Sequence, residues 1–392
     1  MRIVHVITRL ILGGAQENTL LSCEGLLRRY GDDVLLVTGP AVGPEGSLIE
    51  RGRAGGVPIE VVPELRRTID PWRDAIAYRR LKKILSQFRP DVVHTHSAKG
   101  GILGRAAAAR LRVPAIVHTV HGAPFHPYQN QVTREFYRRC ERWAARRCHA
   151  MVSVCDAMTD LLVAAGVAPR AKFTTIYSGM EIEPLLAADG QRERVRRELG
   201  IGDDQIVVGM VARLFHLKGH EFLLRAAPAI VGARPEIRFL LVGDGVLRAQ
   251  LEAEVGRLGL GEHFLFLGLA PPQRIPELIA SMDIVVHTSL REGLARVLPQ
   301  ALIVGRPVVS YDIDGGREVV LDGQTGLLLP PKSIAPLAEA ILRLAADPAL
   351  RVSMGAEGRR LFTDQFRHDR MVDELRQLYE RLLMSQKAAC GS

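Results

Sequence analysis

The chain has 392 residues, of which 47% are apolar and 24% charged, and its formal net charge is +9. This length exceeds what one ordinary core needs and predicts two α/β domains, while the balanced composition excludes a disordered or fibrous chain. No apolar run approaches the roughly 18–20 residues that span a bilayer, and the five cysteines lack the spacing of a zinc site.

Charge is distributed unevenly along the chain. Residues 1–180 carry a net charge of +11 and residues 181–392 a net charge of −2. A basic first half indicates an acidic partner there, such as a phosphorylated substrate, an anionic lipid or a nucleic acid. Nucleic acid is not expected, because the sequence contains no aromatic stacking motif and no recognition-helix signature.

Short β-branched runs alternate with amphipathic stretches, and this pattern predicts parallel sheets built from βαβ units. The strands predicted in the first half are Arg2–Thr8, Val34–Thr38, Glu60–Pro63, Val92–Thr95, Ala115–Val120, Met151–Val154 and Thr174–Tyr177. Those predicted in the second half are Val207–Val211, Arg238–Val242, Phe264–Leu267, Ile284–His287, Pro307–Ser310 and Leu327–Leu329.

The break between the two series predicts two doubly wound, Rossmann-like domains, residues 1–180 and residues 181–365. Tyr177–Met180 and the charged stretch Gln191–Glu198 are predicted to link them. Ligand is expected in a cleft between the carboxyl ends of the two sheets.

A pair of cations follows the first predicted strand of the second half. Arg213 and Lys218 come off the carboxyl end of Val207–Val211, where open α/β sheets bind ligands. Two cations there suit a diphosphate, since each charge-assisted hydrogen bond contributes about 1.5–3 kcal/mol. The alternative is that both are solvated surface cations.

A second cluster, Ser289–Ala295, follows the predicted strand Ile284–His287, and a helix is predicted to begin near Leu294. The start of a helix offers unpaired N–H groups and a positive dipole end, which suit a phosphate. Glu292 is placed to accept hydrogen bonds from sugar hydroxyls, or alternatively to cap the helix.

These features, in this order, resemble glycosyltransferase family 4, whose members have the GT-B fold. The resemblance covers nearly the whole chain, and each motif is weak by itself. The motifs are Gly13–Glu17, Arg213 with Lys218, Val242–Gly245, Phe266–Gly268, Asp283 with Ser289, Glu292 and Gly293, Gly305 with Pro307–Val309, Gly315, Gly316 and Glu318, and Gly323, Thr325 and Gly326.

The resemblance implies two Rossmann-like domains that face each other across a cleft, the first binding the acceptor and the second the nucleotide-sugar. A C-terminal helix over about residues 366–386 would return to the first domain. The implied reaction transfers a sugar from a nucleotide-diphosphate donor with retention of configuration. A UDP-sugar is the preferred donor, and no cofactor or obligatory metal is expected.

The resemblance also implies roles for individual residues. Arg213 and Lys218 would neutralise the donor diphosphate, Glu292 would hold the donor sugar, and Gly13 and Gly14 would let a loop approach the phosphate closely. The remaining donor-binding residues would be Gly243, Leu269, Gly293, Leu294, Ala295 and Gln300.

Gln300 departs from the family pattern, which usually has a second glutamate at this position that binds the ribose hydroxyls. A glutamine offers one acceptor oxygen and two donors, so ribose binding can survive. The exchange of a charged acceptor for a neutral one would weaken the contact by roughly 1 kcal/mol.

Four histidines lie at two strand ends of the first half, His94 with His96 and His118 with His121. Because strand residues alternate between faces, the members of each pair are expected to share a side. The resemblance places His121 beside the acceptor and the reacting carbon. No carboxylate lies at ligand spacing, so metal binding by these histidines is not expected.

Three further assignments complete the acceptor side. His96, with Ser97 and Lys99 at the start of the next helix, is predicted to bind the acceptor alongside His121. The helix amides and the ammonium of Lys99 would hold an acceptor phosphate. The alternative for each histidine is a structural role.

A basic helix is predicted over Gln131–Arg147. One arc would carry arginines, and the opposite arc aromatic and small residues. Either the aromatic arc packs on the sheet with the arginines in solvent, or the basic arc rests on anionic lipid. The arginines are Arg134, Arg138, Arg139, Arg142 and Arg146, and the opposite arc holds Phe136, Cys140, Trp143 and Ala144.

The predicted protein is therefore a cytoplasmic glycosyltransferase, with peripheral contact to the inner face of the membrane in prospect. Its acceptor would be a lipid-linked or other polysaccharide precursor. Two alternatives stay open: a GT-B nucleotide-sugar epimerase, which needs no acceptor, and a catalytically silent nucleotide-sugar-binding subunit.

Overall fold

A computed structural model describes residues 1–42 and 46–390. The chain forms two compact units, one of Met1–Met180 with the C-terminal segment from Phe366, and one of Glu181–Gln365. We call them unit 1 and unit 2. In unit 1 strands and helices alternate along residues 1–180, and the C-terminal helix of the chain completes the unit.

Unit 1 is built on a parallel sheet of seven strands. The strands are β1 Arg2–Ile7, β2 Asp33–Thr38, β3 Ile59–Val61, β4 Val92–His96, β5 Ala115–Val120, β6 Ala150–Ser153 and β7 Phe173–Thr175. Their order in the sheet is β3-β2-β1-β4-β5-β6-β7. The central strands β1, β4 and β5 are almost completely buried, as expected of a parallel sheet, and they bury histidines among their apolar residues.

The connecting helices of unit 1 include α1 Gly14–Tyr30, which packs against the last helix of the chain. Val372 lies so close to this helix that a Cβ on Gly25 would come within 2.4 Å of it, and Tyr379 is fully buried. The C-terminal return of the chain is thereby confirmed. The other helices are α2 Ile49–Ala54, α3 Pro71–Phe88, α4 Ala98–Arg110, α5 Gln131–Ala145, α6 Asp156–Ala164 and the final α15 His368–Cys390.

Unit 2 has a second parallel sheet, of six strands in the order β10-β9-β8-β11-β12-β13. Its strands are β8 Ile206–Val211, β9 Ile237–Val242, β10 Phe264–Gly268, β11 Ile284–His287, β12 Val308–Tyr311 and β13 Gly326–Leu329. Its helices are α7 Glu183–Leu186, α8 Arg192–Glu198, α9 His220–Ala233, α10 Arg248–Arg257, α11 Ile275–Ser281, α12 Val297–Val304, α13 Ala335–Ala346 and α14 Pro348–Phe362.

Each strand predicted from the sequence is present, with its ends shifted by two residues at most. The prediction that Gln191–Glu198 is a linker is wrong, because most of this stretch forms α8 within unit 2. Arg192 and Arg196 of α8 form ion pairs with Asp283 at 2.6 and 3.1 Å. These pairs attach the helix to the start of β11.

For α5, the first of the two predicted arrangements, in which the aromatic arc packs on the sheet, is wrong. Its aromatic side chains do not pack on the sheet: Phe136 is 49% and Trp143 43% exposed. The helix instead packs through Ala144, Ala145 and the buried Glu141, which forms an ion pair with the buried Arg105 at 3.0 Å. A paired charge can occupy a core position, and apolar periodicity alone could not reveal this.

Candidate functional site

The loop after β8 brings Arg213 and Lys218 to the carboxyl end of the sheet in unit 2. Leu217 and Gly219 both have positive φ, 68° and 79°. A Cβ on Gly219 would lie 1.9 Å from the carbonyl oxygen of Thr288, so only glycine fits here.

This loop is fastened to the segment that follows β11. The Thr288 hydroxyl donates to the Gly219 carbonyl oxygen at 2.9 Å, and the Leu290 amide donates to the Leu217 carbonyl oxygen at 2.8 Å. Lys218 lies between these two attachment points. These hydrogen bonds fix the backbone on both sides of Lys218. They bring its side chain close to Glu292, although the two residues are far apart in the sequence.

The ammonium of Lys218 forms an ion pair with the carboxylate of Glu292. Burial alone would raise the pKa of Glu292, but His287, whose Nε2 lies 3.6 Å from Oε1, and the charge of Lys218 lower the pKa to about 2. Glu292 is therefore ionised at neutral pH and available as a hydrogen-bond acceptor. Arg213 is exposed, with its guanidinium 4.9 Å from the centre of the Phe215 ring.

Two further residues shape this site and were missed by sequence reasoning. His287 ends β11, and its Nδ1 lies 3.2 Å from the Ser310 hydroxyl. Asp314, which has a positive φ of 45°, accepts a hydrogen bond from the Glu292 amide at 2.6 Å. A polar residue at the carboxyl end of a strand was the available signal for His287, whereas nothing local predicts the contact of Asp314.

The glycines of Val242–Gly245 serve close packing between neighbouring loops. A Cβ on Gly243 would come within 2.0 Å of the Ala212 carbonyl oxygen, and one on Gly245 within 2.4 Å of the Leu214 carbonyl oxygen. The turn after β9 thus lies directly against the loop that carries Arg213. Leu269, after β10, is exposed.

The helix predicted to begin near Leu294 begins at Val297 instead. The amides of Gly293, Leu294 and Ala295 therefore belong to the loop before α12. In this loop the Gly293 carbonyl oxygen accepts a hydrogen bond from the Gly315 amide at 3.3 Å. Gln300 lies within α12 and is half-buried. Unit 2 thus brings Arg213, Lys218 and Glu292 to one edge, with Gly243 on the neighbouring loop.

In unit 1 the predicted acceptor residues lie at the carboxyl ends of β4 and β5. His96 is the last residue of β4, and Ser97 follows with a positive φ of 63° before α4 begins. The ammonium of Lys99 donates to Asp74 Oδ1 at 2.6 Å and to the Thr68 carbonyl oxygen. Lys99 is thus already paired, which the local pattern around it could not show.

Gly13 and Gly14 lie at the start of α1, on the same edge of this sheet. Gly13 precedes the helix in an extended conformation, and Gly14 is the first helical residue. The Gln16 and Glu17 amides donate to the Gly13 carbonyl oxygen at 3.1 and 2.9 Å. The N-cap and the first residue of this 17-residue helix therefore carry no side chains.

The histidine pairs behave differently from one another. His94 and His96 share a face and stack with ring centres 4.4 Å apart, as predicted. The prediction that His118 and His121 share a side is wrong: His118 Nδ1 lies 2.9 Å from the Thr95 hydroxyl, whereas His121 Nε2 lies 3.1 Å from His96 Nδ1. They are three positions apart in the sequence, an odd number, so a period of two places them on opposite faces.

Two family models match consecutive parts of the chain. Residues 13–179 match the glycosyl transferase 4-like domain, and residues 191–361 match glycosyl transferases group 1. The chain is a family-4-like glycosyltransferase.

Relatives of this glycosyltransferase carry consistent names. UDP-Gal:alpha-D-GlcNAc-diphosphoundecaprenol alpha-1,3-galactosyltransferase of Escherichia coli is 28% identical over 389 residues, which are 98% of each chain. 2-Deoxystreptamine glucosyltransferase of Streptomyces kanamyceticus is 27% identical over 80% of this chain and 83% of its own. Both relatives are thus named as glycosyltransferases.

Solved structures show that the glycosyltransferase has the GT-B fold with two Rossmann-like domains. HepE from Anabaena in complex with UDP-glucose superposes with a TM-score of 0.82 at 22% identity, over 97% of this chain and 99% of that one. Among the described residues, no helix is both long and apolar enough to cross a bilayer.

The packing of Gly219 generates a prediction about the stability of unit 2. Gly219→Ala should destabilise the glycosyltransferase by about 1–3 kcal/mol because the new Cβ is strained at positive φ and meets the Thr288 carbonyl. Urea unfolding measures this effect. The matched control is Gly232→Ala at an exposed position of helix α9, where the Cβ meets nothing within 4 Å. Equal behaviour of the two variants would contradict the assigned constraint.

Proposed function

We propose that this glycosyltransferase transfers a sugar with retention of configuration from a UDP-sugar held by unit 2 to a lipid-linked polysaccharide precursor. The observation that carries the proposal is the juxtaposition of Lys218 and Glu292, with Arg213 on the same loop, at the carboxyl ends of β8 and β11. Cations and an ionised acceptor there suit the two halves of a nucleotide-sugar.

The chemistry of the donor assigns the two signs of charge. A nucleoside diphosphate leaves with developing negative charge, which Lys218 and Arg213 would stabilise without reorganisation. Glu292, held ionised, would accept hydrogen bonds from the donor sugar hydroxyls. Neutralisation by two side chains makes a metal ion dispensable in this proposal.

Retention is proposed to follow from substitution on the front face of the sugar. Glu292 is paired with Lys218, and Asp314 accepts from the Glu292 amide, so neither carboxylate is presented as a covalent nucleophile. The bond between the anomeric carbon and the diphosphate oxygen breaks, and a bond to the acceptor oxygen forms. The acceptor proton passes to the departing phosphate, and the nucleoside diphosphate is released.

UDP and a lipid-linked acceptor are proposed from the names of similar proteins and from the charge of the first half of the chain. The Escherichia coli relative is named for UDP-galactose and a diphosphoundecaprenol-linked sugar, and HepE was solved with UDP-glucose. The net charge of +11 on residues 1–180 suits an acceptor that carries phosphate.

Helix α5 supports a peripheral contact of unit 1 with anionic membrane. Val132, Phe136 and Trp143 are 81%, 49% and 43% exposed, and their spacing places them along one side of the helix. Exposed arginines flank this stripe, and the Arg147 guanidinium lies 3.5 Å from the centre of the Trp143 ring. Exposed aromatic and basic side chains together are typical of helices that lie in a membrane interface.

Removal of the Lys218 ammonium tests the main proposal. Lys218→Ala should lower kcat on the order of 10²–10³ because charge on the leaving diphosphate loses its partner, whereas exposed Arg343→Ala on α13 should leave kcat unchanged. UDP release with UDP-galactose and the lipid-linked acceptor of the Escherichia coli relative gives the rate. NMR of the product should show the donor's anomeric configuration. Unchanged turnover in Lys218→Ala, or isomerised donor without acceptor, would refute the assignment.

Gln300 offers a test of the ribose contact. Gln300→Glu should tighten UDP binding by about 1 kcal/mol, roughly fivefold, because a charged acceptor replaces a neutral one. Isothermal titration with 2′,3′-dideoxy-UDP is the control, since this nucleotide lacks the hydroxyls and should bind both proteins equally. An equal gain with both nucleotides would show that Gln300 does not contact the ribose.

The exposed stripe of α5 predicts binding to vesicles. Replacement of Phe136 and Trp143 by serine should weaken sedimentation with vesicles of phosphatidylcholine and phosphatidylglycerol by about tenfold or more, because both rings lose their apolar burial. Val352→Ser, an exposed apolar position on α14, is the control and should bind as the unmodified chain does. Binding that is unaffected by the α5 substitutions would exclude this helix as the contact.

A further inference from the structure

A row of three imidazoles runs through unit 1 from its core to the carboxyl edge of its sheet. His5 Nδ1 lies 3.0 Å from His96 Nε2, and His96 Nδ1 lies 3.1 Å from His121 Nε2. His5 and His96 are fully buried, while His121 is half-buried just past the end of β5. The row therefore connects the interior with the edge where acceptor residues were predicted.

Both inner members of the row are neutral at physiological pH. Burial lowers the pKa of His5 to about 3, and burial followed by the charges of neighbouring histidines lowers the pKa of His96 well below its usual range. A neutral imidazole has one N–H donor and one bare nitrogen acceptor. Once His96 donates through one nitrogen it must accept through the other, so the two hydrogen bonds point the same way.

Only two arrangements satisfy this condition. In the first, His5 donates from Nδ1 to His96, and His96 donates from Nδ1 to His121. In the second, both bonds are reversed, and His5 carries its proton on Nε2. That atom is buried and has no hydrogen-bond partner among the described residues. Because orphaned buried N–H groups are rarer than orphaned acceptors, the first arrangement is favoured.

We propose that His5 and His96 are positioning residues that hold His121 as the tautomer protonated on Nδ1. His121 then donates a hydrogen bond to an oxygen of the sugar or acceptor, and does not act as a base. This inference rests on the proposed function for the role of His121. It agrees with a mechanism in which the departing phosphate takes the acceptor proton.

The neighbouring His94 belongs to the same buried cluster and is held by hydrogen bonds of its own. The ligand nitrogens of His5, His94 and His96 lie within 4.8 Å of one another, an arrangement that could hold a cation. However, His94 Nδ1 contacts the Tyr379 hydroxyl at 2.5 Å and His94 Nε2 contacts the Thr119 hydroxyl at 2.7 Å. Both nitrogens of His96 are likewise used within the row, whereas His5 Nε2 has no hydrogen-bond partner among the described residues.

Nitrogen NMR of the full chain labelled with 15N-histidine reads the tautomers directly, without any need for an acceptor or for turnover. Protonated and bare ring nitrogens have well-separated shifts, and the His121 signals are identified by their loss in His121→Asn. We expect His121 and His96 to be protonated on Nδ1. Protonation of His121 on Nε2 would overturn the proposal. So would one tightly bound zinc ion per chain that His5→Phe removes.

Variants of His5 then connect the tautomer to activity. His5→Phe removes the first donor, so His121 should become a mixture of tautomers and kcat should fall by about tenfold or more. The affinity for UDP, which lacks the sugar, should not change, since the side chains proposed to hold the diphosphate lie in unit 2. His5→Asn places an amide N–H near the position of Nδ1 and should restore both the single tautomer and kcat.

The control is His118→Asn, which alters a buried histidine on the opposite face of the sheet. It should retain the His121 tautomer. A His5→Phe protein that is folded by circular dichroism yet keeps one His121 tautomer and full kcat would overturn the proposal. If the unmodified chain does not bind UDP, the proposed function is refuted. The tautomer measurement would then test this inference by itself.

Discussion

The carboxyl edge of the sheet in unit 2 is organised around one ion pair between residues far apart in sequence, Lys218 and Glu292. Each residue follows a different strand, and parallel strands deliver their carboxyl ends to the same edge of a sheet. The loop of Lys218 can come this close only because position 219 has no Cβ. The requirement for glycine at position 219 thus determines how closely Lys218 approaches Glu292.

In unit 1 the carboxyl ends of parallel strands also meet at one edge of the sheet, but the side chains there are chemically different. There the carboxyl edge presents imidazoles, and burial keeps the inner ones neutral where charge would be expensive. His5, on β1, is aligned with His94, on β4, so the register of two neighbouring strands assembles the cluster. Charge at one edge and neutral hydrogen bonding at the other suit a reaction in which a diphosphate leaves and a hydroxyl attacks.

The strands and the domain order could be predicted from the sequence because buried parallel strands have an unmistakable apolar run and each is followed by an amphipathic helix. Arg213, Lys218 and Glu292 could be found because each follows such a strand. His287 and Asp314 could not be assigned roles, since their contacts depend on which loops meet in space. The apolar periodicity of α5 predicted the wrong buried face. It could not show that Glu141 is buried, because the partner of Glu141, Arg105, lies on another helix.

We propose that Arg213 and Lys218 hold the diphosphate of the donor at the carboxyl edge of unit 2. A crystal structure of the chain with UDP would decide this. Diphosphate oxygens are expected within about 3.2 Å of Lys218 Nζ and of the Arg213 guanidinium. A diphosphate seated elsewhere, with Lys218 still bound only to Glu292, would contradict it.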